Sequence, residues 1–331
     1  MIGLVLAKAE STYGTDPVPT ASANTIAVTR SSVKYGPKFQ HLLRSIMDGT
    51  FSKVSGFNVM PVVDFSFTVE LRGNYTNGST DSDISSGASA QAIEIHPLLL
   101  ACDLAATYTA ETTNGARDGY VTYKPTVPSD QGASVTFYFY SGGKLHKITG
   151  CKGTVKGSLT AGQFGTLDFS FTGLYNSVTD VAISGITPTW LDTKPPIFTA
   201  ATTTVDAYSP VFQKLDFDLG NKVERRDDAN SAAGVKGFLI TGRDGKVTID
   251  PESVTEATNP VWGDLNGGTA RTITAVLGST AGNRVQLTFM GVSESVGYGD
   301  RSGIRTTQIT YSLERANLST SAGNEFQLKF Y

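Results

Sequence analysis

Apolar and polar residues alternate along much of this chain. From Val63 to Leu71, Val, Phe, Phe, Val and Leu take every second position, and Asp64, Ser66, Thr68 and Glu70 fill the places between. A period of two puts the sets on opposite faces of an extended chain, so the segment predicts a half-buried strand. Val135–Tyr140, Thr166–Thr172, Thr272–Leu277, Val285–Met290, Thr307–Leu313 and the closing Phe326–Phe330 predict strands in the same way. Gly237–Thr241 and Lys246–Asp250 are two more, and Arg243-Asp244-Gly245 between them carries the Asp-Gly signal of a tight hairpin.

Helical signals are few. Pro97 to Ala106 predicts a short helix, with proline in the first turn, where its missing N–H costs nothing. Lys38 to Met47 predicts a second helix or an irregular apolar segment. The fold class is mainly β, with one short helix per repeated unit.

That unit occurs twice. His96-Pro97-Leu98-Leu99 opens the first helix, and Asn259-Pro260-Val261-Trp262 takes the matching place later on. At one shift of about 138 residues Val135 meets Ile273, Gly153 meets Gly291, Gly165 meets Gly303 and Phe171 meets Ile309. The helix prolines differ by about 163, which leaves the first copy about 25 extra residues between helix and strand, an insertion that loops tolerate. The bland alternative is that any two β-rich halves show strands and glycines in similar order. The expected layout is a first domain over 1–186, a linker over 187–204 and a second domain over 205–331. Lys194-Pro195-Pro196 and the Thr/Ala run at 199–204 make that linker semi-stiff. Two polar stretches, 74–91 and 225–234, are built to reach outward.

Composition narrows the function. Charged residues are only 17% of the 331 and Gly numbers 35, which suits strands and turns better than helices. The net charge of −3 is spread along the chain, and no basic block is present to grip a phosphate backbone. Cys102 and Cys151 stand far apart and read as small core hydrophobes. The apolar start, Met1 to Ala7, stops at Lys8 without a basic leader, and no window reaches membrane-span length. Folding in a bacterial or viral cytoplasmic setting without export is the expectation, and the Asn-x-Ser/Thr matches at 74, 77 and 317 are then chance.

No catalytic constellation is visible. His41, His96 and His146 sit in no nucleophile or metal motif, so neither a metal nor a cofactor is expected. Gly297-Tyr298-Gly299-Asp300-Arg301-Ser302-Gly303 is one residue off a dinucleotide loop and precedes a strand, which makes it a turn. Asp216 and Asp218 share a strand face opposite Leu215, Phe217 and Leu219. They fit acid–base work or calcium, but more simply a solvated face or a pore lining.

The segment Ala7-Lys8-Ala9-Glu10-Ser11-Thr12-Tyr13-Gly14-Thr15-Asp16-Pro17, followed by Pro19-x-x-x-x-Asn24-x-Ile26, resembles the start of the major tail-tube proteins of long-tailed, non-contractile bacteriophages. Val62 to Gly73, the proline-led helices and the Arg305–Arg315 strand are similar in plan, so the resemblance covers the whole chain. It implies two β-sandwich or barrel-like tube domains, each with a short flanking helix, plus an extended N-terminal arm. It also implies a non-enzymatic virion subunit, assembled in the host cytoplasm, whose rings stack into a hollow conduit for DNA ejection. Two tube domains per chain favour trimeric rings with pseudo-sixfold symmetry over hexamers. The implied partners are further copies of the chain, the tape-measure, tail-terminator and distal tail proteins, and passing DNA. Glu10, Tyr13, Asp16, Asn74, Asp81, Asp83, Arg225, Arg226, Asp227 and Asp228 are the candidate contacts between subunits or rings. Asp168, Asp216 and Asp218 are candidate lumen residues, where like charge would keep DNA from sticking.

A carbohydrate-binding or adhesive β-sandwich would explain strands and loops equally well, and would need exposed aromatic platforms; only Trp190 and Trp262 supply tryptophan. A glycan hydrolase lacks a supported pair of carboxylates.

Overall fold

The computed structural model describes residues 3–73, 93–109, 119–126, 133–199, 202–231, 233–280, 282–315 and 323–331. The chain opens with β1 (Gly3–Ala9), β2 (Thr25–Ile26), β3 (Lys34–Arg44) and β4 (Val54–Glu70). The helix α1 (His96–Ala101) leads into β5 (Leu104–Thr109), β6 (Tyr120–Pro125) and β7 (Val135–Ser141). Next come β8 (Lys144–Thr160), β9 (Thr166–Tyr175) and β10 (Thr179–Asp180), then β11 (Thr202–Val205) and β12 (Lys214–Asp218). The rest is β13 (Asn221–Asp227), β14 (Val235–Arg243), β15 (Lys246–Ile249) and the helix α2 (Val261–Gly267). The last four strands are β16 (Ala270–Leu277), β17 (Val285–Arg301), β18 (Ile304–Leu313) and β19 (Phe326–Phe330).

The fold is mainly β, as the alternating pattern predicts. Among the described residues, seventeen strands form one antiparallel network that does not close into a barrel, and β13 and β14 pair only with each other. One run of pairings reads β1-β7-β8-β9-β4-β3; another reads β11-β16-β17-β18-β15-β12. Among the described residues one ladder connects them: β12 lies along β8, with Lys214 opposite Thr160 and Asp218 opposite Lys156. β19 pairs with both β17 and β6 and so ties the β5–β6 pair to the second run.

The inward-facing residues of both runs share one core. Phe65, Phe67, Phe137, Phe169 and Phe171 pack with ring centroids 4.9–6.1 Å apart. Phe217, Phe289 and Phe326 form a second aromatic group at 5.2–5.6 Å. Each buried ring contributes on the order of 2–3 kcal/mol from area removed from water.

Several local expectations change. Lys38–Met47 is not a helix: most of it is β3, paired with β4 from Lys34–Ser66 out to Arg44–Val54. A helix there would need an apolar face to pack against, whereas the next strand folds back and supplies backbone partners for most of the segment. The Pro97–Ala106 helix ends at Ala101, because Asp103 turns through φ +63° and Leu104 starts β5. Asp244-Gly245 is not a hairpin turn. β14 pairs with β13 and β15 with β12, so the two strands continue each other along one bent ribbon, and the Asp244 N–H donates to the Gly220 carbonyl. The run from Gly297 to Arg301 is strand, and the turn sits at Ser302-Gly303, both at positive φ as a two-residue hairpin requires. The stretch read as a linker already contains Thr202–Val205 as β11.

Candidate assembly surfaces

The N-terminal segment that carries the resemblance is fastened to its own chain. Glu10 is buried, and its carboxylate accepts from the Gly14 and Gly150 N–H groups at 2.6 and 2.7 Å and from the Ser134 and Thr136 hydroxyls at 2.5 and 2.6 Å. Tyr13 donates to the Gly150 carbonyl at 2.8 Å and accepts from the Phe238 N–H at 2.7 Å. It therefore pins β14 to β8. Burial pushes the Tyr13 phenol up to about 12, which keeps it a neutral donor. Asp16 takes the Tyr138 hydroxyl at 2.5 Å and Lys147 at 3.2 Å. Tyr13→Phe leaves the Phe238 N–H without an acceptor, so the urea midpoint should drop by the equivalent of about 1–3 kcal/mol at constant slope.

The ribbon of β13 and β14 folds back on the first run of strands. Val235 and Phe238 pack with Val62, Met60, Leu174 and Val223. At its base Asn221 is buried, donating to the carbonyls of Cys102 at 2.7 Å and Gly153 at 3.0 Å and accepting from Arg243 Nε at 3.0 Å. Arg243 also reaches Asp103 and Glu325 at 3.4 and 3.5 Å. The outer part carries the predicted contacts. Arg225 pairs with Asp227 at 2.7 Å, Arg226 is exposed, and Asp228 lies 4.0 Å from Lys236. Asn74, Asp81 and Asp83 lie outside the described residues.

The other long ribbon is different. β3 and β4 project without packing their outer half on the chain, and Phe39, Leu42, Leu43, Ile46 and Phe57 are exposed there, with Met47 and Phe51 at the tip fully so. An apolar patch of this kind on a folded surface marks a contact with another molecule. The sequence reading missed these residues. The signal was an apolar run without alternation, Val59-Met60-Pro61-Val62-Val63, extending back from a recognised strand.

The expected lumen residues share one open depression of about 400 Å³, lined by Asp168, Asp216 and Asp218 together with Lys156, Lys214 and Lys246. Lys156 pairs with Asp218 at 2.8 Å, Lys214 with Asp216 at 2.7 Å, and Thr68 donates to Asp168 at 2.5 Å. The face is thus laced with both signs of charge rather than acidic.

Chemistry is sparse. Cys102 and Cys151 are buried free thiols, pushed up by burial and so unreactive. Among the described residues no group of three His, Cys, Asp or Glu is placed to hold a metal, and no helix is long and apolar enough to cross a membrane. Trp262 and Tyr298 form an exposed pair with centroids 5.4 Å apart, tilted at 52°. They line a cleft of about 200 Å³ whose Glu256 is spent on the Gly263 N–H at 2.6 Å.

Comparison with curated proteins finds no significant match. The family described as Phage tail tube protein matches residues 3–319, nearly the whole chain. A mainly β chain with an exposed apolar ribbon agrees with that match: the chain belongs to the phage tail tube protein family and is a structural subunit of a bacteriophage tail.

Proposed function

We propose that this chain assembles with copies of itself into stacked rings, forming the hollow tube of a long-tailed, non-contractile phage through which DNA is ejected into the host. The observation that carries the reading is the β3–β4 ribbon. Its Leu42, Phe57, Met47 and Phe51 are exposed on the folded chain, and burying several of them between copies would yield about 1.5–3 kcal/mol each. The matching order of the two strand runs supports two tube domains, 1–186 and 205–331 joined through 187–204. Three chains would then supply a pseudo-sixfold ring, and rings would stack through exposed groups such as Arg225, Arg226, Asp227 and Asp228. The tape-measure, terminator and distal tail proteins are the expected partners. A charge-balanced face at Lys156, Asp168, Lys214, Asp216, Asp218 and Lys246 would suit a lumen that lets DNA slide.

The test is negative-stain microscopy with mass photometry of the full chain beside Met47→Asp/Phe51→Asp. Wild type should give hollow rods of constant width built from three-chain rings. The variant should keep the wild-type melting temperature and lose rods at least tenfold. Six chains per ring would retain the tube and remove the two-domain argument. A wild-type chain that stays monomeric would favour an adhesive sandwich, for which the tilted Trp262–Tyr298 pair is the available surface.

A further inference from the structure

Inside one chain, β12 sits alongside β8 and extends the first run of strands. β8 has two sides. β9 runs along one of them from Ile148 to Ser158; β7 occupies the other up to Cys151, and β12 continues on that same side from Lys156 to Thr160. β17 is built alike. β18 lies on one side from Gly291 to Arg301, and β16 occupies the other up to Val292. Beyond Val292 the β16 side of β17 has no strand partner among the described residues, and Ser295, Gly297, Tyr298 and Gly299 are exposed. It is an unfilled strand position where the other run holds β12.

The strand that would fill it is also present. β12 stands next to β15, and in the first run the strand next to β4 is β3, which pairs with β4 alone. Two close contacts set the register. A Cβ on Gly153 would meet the Ser170 carbonyl at 2.4 Å, and one on Gly291 would meet the Ser312 carbonyl at 2.4 Å, which equates β8–β9 with β17–β18. Gly36 pairs with Asp64 on β3–β4, and Gly220 accepts from the Asp244 N–H on the other ribbon. Aligning these pairs puts Lys34 at the place of Asp218 and Val33 at the place of Phe217. Lys156 and Gly157, their partners on β8, correspond to Ser295 and Val296. Val33 and Val296 both lie half-buried on the rim of the core. Inside the chain a phenylalanine opposes a glycine; across chains two valines would share the space. Ser31, at φ +67°, turns the chain away, so the added strand begins at Ser32.

We infer that β3 of one chain adds to the open side of β17 of a second copy, antiparallel, with Val33 opposite Val296 and Lys34 opposite Ser295. This rests on the self-assembly reading and names its partner surfaces. Neither edge has a strand partner among the described residues, and each is a row of backbone donors and acceptors that another strand can complete. The joint is head-to-tail, so it closes into a ring or propagates. It also carries the apolar outer half of the β3–β4 ribbon onto the second copy, as Val235 and Phe238 are carried onto Val62 within the chain.

Cysteine pairs test the register. Directly opposed residues of antiparallel strands lie about 4.5–5.5 Å apart at Cα, within disulfide range for either kind of pair. Full-length Val33→Cys/Val296→Cys and Ser32→Cys/Gly297→Cys should give, after oxidation of assembled material, a ladder of linked chains ending at the ring number. Wild type, with Cys102 and Cys151 buried, should give none, as should each single variant. Val33→Cys/Gly299→Cys, out of register, should link at least tenfold less. Rods that form with no link at either matched pair, or that link best out of register, overturn the strand match and leave the tube. Chains that never form rods yet link at the matched pairs keep the strand match and overturn the tube. Chains that neither assemble nor link overturn both.

Discussion

Glu10→Ala should cost this protein about 4 kcal/mol of stability. The carboxylate accepts four hydrogen bonds from buried or half-buried donors on three segments, at Gly14, Ser134, Thr136 and Gly150. Removing it strands those donors, and each unsatisfied buried donor costs about 1–3 kcal/mol. Even allowing for non-additivity, a loss of about 4 kcal/mol is a large part of a domain's stability. Glu10→Gln separates shape from charge. Its amide can still accept through one oxygen, and the two hydroxyls can reverse direction to accept from its NH₂. The N–H groups of Gly14 and Gly150 cannot reverse, so one of them faces a donor, and about 2 kcal/mol should be lost. Urea titrations followed by tryptophan fluorescence give both numbers. If the alanine variant fell within about 1 kcal/mol of wild type, the buried carboxylate would not be what holds the N-terminal segment in place.

The second large effect belongs to the joint between β8 and β12. Phe217 is buried over Gly157, and a Cβ on that glycine would lie 2.1 Å from the ring. Gly157→Val therefore expels the ring from its place beside Phe289 and Phe326, and Phe217→Ala leaves a cavity there. Each change should cost about 3–5 kcal/mol. The double variant puts a valine where the ring had been and should cost at least 1 kcal/mol less than the sum of the singles. Thermal unfolding of the four proteins completes the cycle. Strict additivity would mean that residues 157 and 217 do not share one space in solution.

The sequence made most strands visible, because a half-buried strand must alternate and a run such as Val63–Leu71 has few other solutions. It made the site visible only in part. The N-terminal segment stands out in the sequence, and the structure uses its Glu10 and Tyr13 to fasten their own chain. The β3–β4 ribbon escaped notice because a strand pair exposed on both faces obeys no two-faced pattern. Lys38–Met47 looked helical for the same reason. The pairing of β12 with β8 depends on residues more than fifty positions apart, and no local signal reports it. Asp216 and Asp218 were legible as a polar face, whereas Lys156, which balances one of them, comes from another strand altogether.

The joint between β8 and β12 is made largely of main chain, and that has a consequence for how such a molecule can change over time. Backbone groups are common to nearly all residues, so mutations on either strand can accumulate at Lys214, Asp216 or Ser158 while the ladder still forms. Proline is the general exception. Gly157 is the particular one, since its neighbour's ring fills the volume of any side chain it might gain. Lineages descending from this protein should therefore drift freely along the seam and move at residue 157 only when residue 217 moves with it.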